Sequence, residues 1–155
     1  MNQIKSFVPQ AREKTWAGGD EFKAKPVRKG EKRYLYKDGD LEYEDGFFAG
    51  ETGRFQGEEI VRIKGKPVWG MVYYGGVPQG KVFEVTNEEI FEFLKEALKE
   101  KKSEARFIEG RREYSKDDWR YVDSAKGNIV DFRGIETVSY KGRVVHETHY
   151  SGGVI

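Results

Sequence analysis

The sequence predicts an α+β fold: a tandem duplication of a helix followed by a three- or four-stranded antiparallel sheet, with the copies related by a pseudo-twofold and sharing one core. Three observations carry this expectation. Residues 55–77 match residues 132–154 at eleven of 23 positions with a constant offset of 77, where average composition gives roughly one or two identities. Within that match Phe55, Gly57, Glu59 and Val61 recur as Phe132, Gly134, Glu136 and Val138, while the residues between them differ. A period of two marks one face of a strand. A capping box, Thr86-x-x-Glu89, opens an apolar stripe at helical spacing. The 155 residues read as a single duplicated domain, 1–155, with repeat one over about 1–80 and repeat two over about 81–155.

The elements follow in order. Ile4, Phe7, Val8 and Ala11 have helical spacing, and Pro9 predicts a helix that is kinked or begins only near Ser6. Residues 33–36 and 41–48 read as strands around an Asp38-Gly39 turn. The strand through Phe55 and Val61 meets Lys64-Gly65, where glycine at positive φ suits a hairpin turn, and 67–74 returns. In the second copy Ile90, Phe91, Leu94, Ala97 and Leu98 share one helix face, and Lys99, Lys101 and Lys102 sit at the negative end of its dipole. Lys141-Gly142 and 144–151 repeat the turn and the return strand. Upstream, Tyr36, Asp40, Tyr43 and Asp45 match Tyr114, Asp118, Tyr121 and Asp123 at an offset of 78. Each half alone is too small to bury much surface.

Composition excludes several classes of function. With 28 Lys+Arg against 27 Asp+Glu the net charge is +1, far from the basic field of non-specific nucleic-acid binding, so no direct nucleic-acid partner is expected. The absence of cysteine removes disulfides, thiolate nucleophiles and Cys-based zinc sites. No apolar run approaches the ~18 residues of a spanning helix, and the first residues lack the ~7–15-residue apolar core of a signal peptide. The expectation is a cytoplasmic protein with no membrane partner. Lys/Glu enrichment with two Met also suits a thermophile.

Motifs for chemistry are thin, and no cofactor or metal is expected. Gly75-x-x-x-x-Gly80-Lys81 imitates a phosphate-binding loop, but Val82 stands where Ser or Thr must reach magnesium, and 82–85 reads as extended rather than helical. A glycine turn is the plainer reading. Asp38-Gly39-Asp40 starts like a calcium loop, yet Tyr43 and Ala49 occupy the positions that need Gly and Glu. His146 and His149, the only histidines, lie on opposite faces of a strand and cannot chelate together. Arg111-Arg112 reads as solvated surface. Nucleophile signatures are missing.

Glu59 and Glu136 are the most informative residues, because each shares strand parity with apolar neighbours and a buried charge needs a partner. Trp69 and Tyr73, and in the second copy His146 and Tyr150, have the matching parity on the return strand. A glutamate bonded to a tyrosine, an indole or backbone is one reading. A ligand pocket lined by Glu59, Trp69, Tyr73, Glu136, His146 and Tyr150 is another, and a catalytic carboxylate pair is a third.

The run Tyr43-x-Asp45, Phe55-x-Gly57-Glu58-Glu59-x-Val61 and Lys64-Gly65-Lys66-Pro67-Val68-Trp69-x-Met71-x-Tyr73-Tyr74-Gly75 resembles an uncharacterised prokaryotic family, domain of unknown function 5680. Ala11-Arg12-x-x-Thr15-Trp16-Ala17 and Gly152-Gly153 are similar to its pattern, while Val72 stands where that family carries Asn. Members of the family occur alone or behind a helix-turn-helix domain, so the resemblance implies a sensing or interaction module rather than an enzyme. A helix-plus-sheet tandem is also similar in architecture to secreted β-lactamase inhibitor proteins, which bind a protein across a concave sheet, although architecture does not establish function. The expectation is a non-enzymatic binding module for sensing or carrying a small molecule. The alternatives are a protein–protein interaction module using an aromatic sheet face, with Phe47, Phe48, Trp119 and Tyr121 as anchors, and a carboxylate-based hydrolase or isomerase.

Overall fold

The computed structural model describes residues 2–100 and 109–155. Helix α1 (Asn2–Lys14) starts at Asn2 and continues through Pro9, so it does not wait for Ser6. Helix α2 (Asn87–Glu100) has the cap expected of it: the Glu89 carboxylate accepts from the Thr86 N–H at 2.7 Å, and the Thr86 hydroxyl accepts from the Glu89 N–H at 3.2 Å. Its buried face is Ile90, Phe93, Leu94 and Ala97. Phe91 and Leu98 lie at the edge of that face, and Lys101 and Lys102 fall outside the described residues.

The strands are β1 (Lys23–Ala24), β2 (Lys32–Asp38), β3 (Leu41–Ala49), β4 (Arg54–Ile63), β5 (Lys66–Gly76), β6 (Gly110–Lys116), β7 (Trp119–Asn128), β8 (Asp131–Tyr140) and β9 (Arg143–Val154). The β4–β5 and β8–β9 connections are Lys64-Gly65 and Lys141-Gly142, all four residues at positive φ, as a two-residue primed turn requires. Bulges interrupt the ladders at Val61/Arg62 and Val138/Ser139.

Two separate three- or four-stranded sheets, each with its helix, do not form. The α+β duplication is overturned: among the described residues there is a single antiparallel sheet of nine strands, ordered β1-β2-β3-β4-β5-β9-β8-β7-β6, that carries two helices. The physical reason lies at the centre. Strands β5 and β9 pair from Trp69↔Val154 to Gly76↔Glu147, so the two edges that separate sheets would leave open are joined to each other. Glycines permit this close approach. A Cβ on Gly75 would lie 2.2 Å from the Glu147 carbonyl oxygen, and one on Gly152 would lie 2.3 Å from that of Gly70. Gly75-Gly76 is therefore strand rather than turn, because glycine in a strand marks a place where another backbone comes near.

Alternation sets the two faces. Trp69, Met71 and Tyr73 point towards the helices, while Val72 and Tyr74 face outward at 56% and 54% exposure. Ile4, Phe7, Val8 and Ala11 of α1 pack on Tyr43, Val61, Trp69 and Met71. Ile90, Phe93, Leu94 and Ala97 of α2 pack on Tyr121, Val138 and Val145. Among the described residues no helix is long and apolar enough to cross a membrane.

Candidate functional site

The helix-covered face of the sheet sets acid against acid. Asp45 on β3 is the register partner of Glu59 on β4, and Asp123 on β7 that of Glu136 on β8. Directly opposed side chains have Cβ atoms about 4.5–5.5 Å apart, and like charges there repel. Each pair is offset by its own donors. The Arg12 guanidinium, reaching down from α1, forks onto Glu59 with Nε at 2.9 Å from both oxygens and Nη2 at 2.6 Å from Oε2. The Tyr73 hydroxyl donates to Asp45 at 2.6 Å. In the second pair the Tyr150 hydroxyl donates to Asp123 at 2.5 Å, with Arg112 at 3.5 Å. The Tyr121 hydroxyl donates to Glu136 at 2.8 Å, and His146 Nε2 stands 3.9 Å from the same carboxylate.

Glycine places two of these phenols. Gly57 is the register partner of Tyr73, and Gly134 that of Tyr150. A Cβ at Gly57 would lie 2.5 Å from the Tyr73 hydroxyl, and one at Gly134 would lie 2.2 Å from the Tyr150 ring. The rings thus lie over bare backbone, which lets their hydroxyls reach the aspartate one strand further on. Burial first, then the Asp45 carboxylate, pushes the Tyr73 phenol well above its ordinary pKa. Burial, then Glu59 and Asp45, does the same to Tyr43. Both phenols keep their protons, and Tyr73 donates its own to Asp45.

Over the first acid pair opens a cleft of about 360 Å³ between the two helices and the sheet. Asp45, Glu59, Tyr73, Glu136 and Thr148 form its polar floor, and Phe47, Phe55, Phe91, Leu94 and Leu98 its apolar walls. Arg12, Glu13 and Trp16 border it from the N-terminal segment, and Lys32, Lys95 and Lys99 are exposed around it. Both halves of the chain therefore contribute to one cleft. Glu59 and Glu136 stand on β4 and β8, three strand spacings apart, or about 14 Å at ~4.8 Å each. The row of register partners through Glu136, Thr148 and Gly75 meets β4 at Phe55, four residues from Glu59. Carboxyl pairs of glycoside hydrolases lie about 5–10 Å apart.

Of the residues expected to line a pocket, the cleft brings together Glu59, Tyr73 and Glu136. Trp69 is fully buried instead, stacked on Phe132 at 5.7 Å with its indole N–H donating to the Ile129 carbonyl at 3.1 Å. His146 is fully buried beside Phe55 and Phe91, with Nε2 2.8 Å from the Thr148 hydroxyl. Tyr150 is buried over Gly134 and belongs to the second acid pair. His149 faces outward and pairs with Glu147 at 2.8 Å.

Other expected roles change with burial. Phe47 and Tyr121 are buried on the helix-covered face, and Trp119 stacks on Phe93 at 5.1 Å, so these three anchor the interior. Only Phe48 of that set borders the outer face, with the Arg28 guanidinium 5.3 Å from its ring centroid. Arg112 is buried beside Asp123 rather than solvated. Val72, the position where the resembling family carries Asn, points away from the cleft. Among the described residues no cluster of three or more His, Cys, Asp or Glu could hold a metal ion.

Arg12, Asp45 and Asp123 are site residues that sequence reasoning did not assign, and Tyr121, expected as a surface anchor, instead donates to Glu136. Asp45 and Asp123 had a signal, since they match at an offset of 78 with the parity of Tyr43 and Tyr121. Arg12 stood only in the Ala11-Arg12-x-x-Thr15-Trp16-Ala17 run of the resemblance, with nothing to point to a partner 47 residues away on another element.

No curated protein and no solved structure matches the chain. A family described as Domain of unknown function (DUF5680) matches residues 45–155, from the middle of β3 to the end of β9 and beyond, so that α1, β1, β2 and with them Arg12 lie outside the matched region. With the match spanning most of its length, the chain belongs to the DUF5680 family.

Proposed function

We propose that this chain binds a small molecule in the cleft between its two helices and its sheet, as a sensing or carrying module without chemistry of its own. The observation that supports this reading is the cleft's composition. Its walls are apolar and aromatic while a few polar groups converge on its floor, the arrangement typical of small-molecule sites. Its volume of about 360 Å³ also falls within the ~300–1,000 Å³ that such sites span. The acids on the floor are engaged by Arg12 and Tyr73, so the floor is pre-organised for recognition.

Denaturant unfolding repeated across a metabolite library tests the reading. A ligand at 100 times its dissociation constant adds about 2.7 kcal/mol to stability. The gain is expected to disappear in Leu98→Trp, which fills the cleft from its wall. Trp16 borders the cleft, so its emission is expected to change with the same ligand. A ligand that stabilises wild type and Leu98→Trp equally refutes the cleft as its site.

A second reading has its own observation. The outer sheet face is a trough of about 760 Å³ where Val72, Tyr74 and Ile135 are exposed at 56%, 54% and 42%. An exposed apolar patch of this kind suits a protein partner. Tyr74→Lys is expected to abolish such an interaction and to leave small-molecule binding intact.

A further inference from the structure

We infer that the ligand of the cleft is an organic anion with an apolar body and a hydrogen-bond donor at the end remote from its charge; the inference rests on the cleft being a binding site. Charge at the opening carries the first half of it. Lys32 enters from β2, and Lys95 and Lys99 stand one turn apart on α2; all three are exposed and border the cleft. None of the three makes an ion pair among the described residues, whereas Lys37 pairs with Glu42, Lys116 with Glu96 and Lys141 with Glu84. The Lys95 ammonium is set 5.4 Å above the Trp16 ring, fixed at the wall of the opening. Glu13 borders the same opening, so among the described residues three ammonium groups meet one carboxylate there.

The floor carries the second half. Asp45, Glu59 and Glu136 bring carboxylate acceptors to the floor, and the donors beside them are engaged: the Arg12 fork by Glu59, the Tyr73 hydroxyl by Asp45, and the Thr148 hydroxyl with His146 Nε2. A hydroxyl or amine at the inner end of a ligand complements such a floor, and a second anionic group would be repelled by it. Phe47, Phe55 and Leu94 line the space between floor and opening. At about 30 Å³ for each water-sized group, the volume of about 360 Å³ holds a body of one aromatic ring with a short chain. Charge at the rim, ring in the middle and donor at the floor define one orientation.

Isothermal titration with 3-(4-hydroxyphenyl)propionate, its methyl ester and 3-phenylpropionate tests each part on the intact protein. The hydroxy acid is expected to bind at least tenfold more tightly than either of the others. Its advantage over the ester is expected to shrink in 1 M salt, where screening acts within about 3 Å. Replacing Lys32, Lys95 and Lys99 together by Gln is expected to reduce the acid to the affinity of the ester and leave the ester unchanged; these side chains are exposed, and an unaltered unfolding midpoint checks that the fold survives. Equal binding of acid and ester overturns the anion, and leaves the cleft reading standing. Equal binding of the hydroxylated and plain acids overturns the donor. No binding by any of the three at millimolar concentration overturns this ligand class, and the library screen with Leu98→Trp then decides separately whether the cleft binds at all.

Discussion

Replacing Gly57 by alanine probes the mechanism that places the acid pair. The added Cβ would lie 2.5 Å from the Tyr73 hydroxyl, 2.6 Å from Phe47 Cβ and 2.7 Å from the Gly46 carbonyl oxygen. Two of these neighbours belong to the adjoining strand β3, Gly57 being the register partner of Phe47, and cannot yield without breaking the ladder. Relief of all three contacts therefore takes a local shift of the β3–β4 ladder together with a move of Tyr73, whose 2.6 Å bond to the buried Asp45 is lost. Overpacking costs about 1–3 kcal/mol, and a buried acceptor stripped of a donor about 1–3 kcal/mol. A loss of about 3 kcal/mol follows, or roughly 6–12 °C in Tm for a chain of this length. Denaturant unfolding of Gly57→Ala, Tyr73→Phe and the double variant gives a cycle. In the Gly57→Ala background Tyr73→Phe should cost almost nothing, because the bond it removes is already gone. A Gly57→Ala loss within about 0.5 kcal/mol, the range of an ordinary surface change, or full additivity of the two changes, would refute the reasoning.

The Arg12–Glu59 fork, with side chains only 18% and 6% exposed, is expected to cost about 3–5 kcal/mol when Arg12→Met leaves the carboxylate alone, and much less in Arg12→Met/Glu59→Gln; equal losses in both variants by chemical denaturation would contradict a desolvated pair. Tyr43 and Tyr73 hold their protons well above the ordinary tyrosine pKa because of burial. Below about pH 10 folded and unfolded chains both keep these protons, and above it the unfolded chain ionises first, so stability falls as pH rises. Absorbance at 295 nm should show these two phenolates appearing only with unfolding, and ionisation of all nine tyrosines in a chain that retains its circular dichroism would disprove the assignment. Trp69→Ala should cost about 3–5 kcal/mol as a core truncation and leave the affinity of the folded fraction for a cleft ligand unchanged, as measured by titration in stabilising buffer.

Local signals mark most of the elements and most of their faces. Lys64-Gly65 and Lys141-Gly142 announce hairpins through glycine, and Thr86 with Glu89 announces α2 through reciprocal hydrogen bonds. What failed was the relation between elements. Gly75-Gly76 has the composition of a turn and of a strand at close approach, and only the distant β9 decides between them. The same limit governed the site. Parity put Glu59, Trp69, Tyr73, Glu136, His146 and Tyr150 on the face towards the helices, but gives neither depth beneath a helix nor position along a strand. Trp69 lies under α1 in the core, whereas Tyr73, four residues on, reaches the cleft. Arg12 was illegible for a related reason: a helical arginine has no sequence mark for a carboxylate on a strand 47 residues later.

The junction of β5 with β9 also bears on how the chain is made. Tyr73 and Tyr150 face each other across it although 77 residues separate them, so the middle of the sheet is assembled from the last strand in chain order. During synthesis, which proceeds at about 5–20 residues per second, β5 emerges several seconds before its partner and carries a bare edge for that interval. Long-range closures of this kind are slow and leave nascent chains prone to aggregation. A ribosome-stalled chain ending before β9 should therefore engage a chaperone or a strand from another chain, whereas a longer chain in which Glu147 to Val154 have cleared the exit tunnel should engage neither.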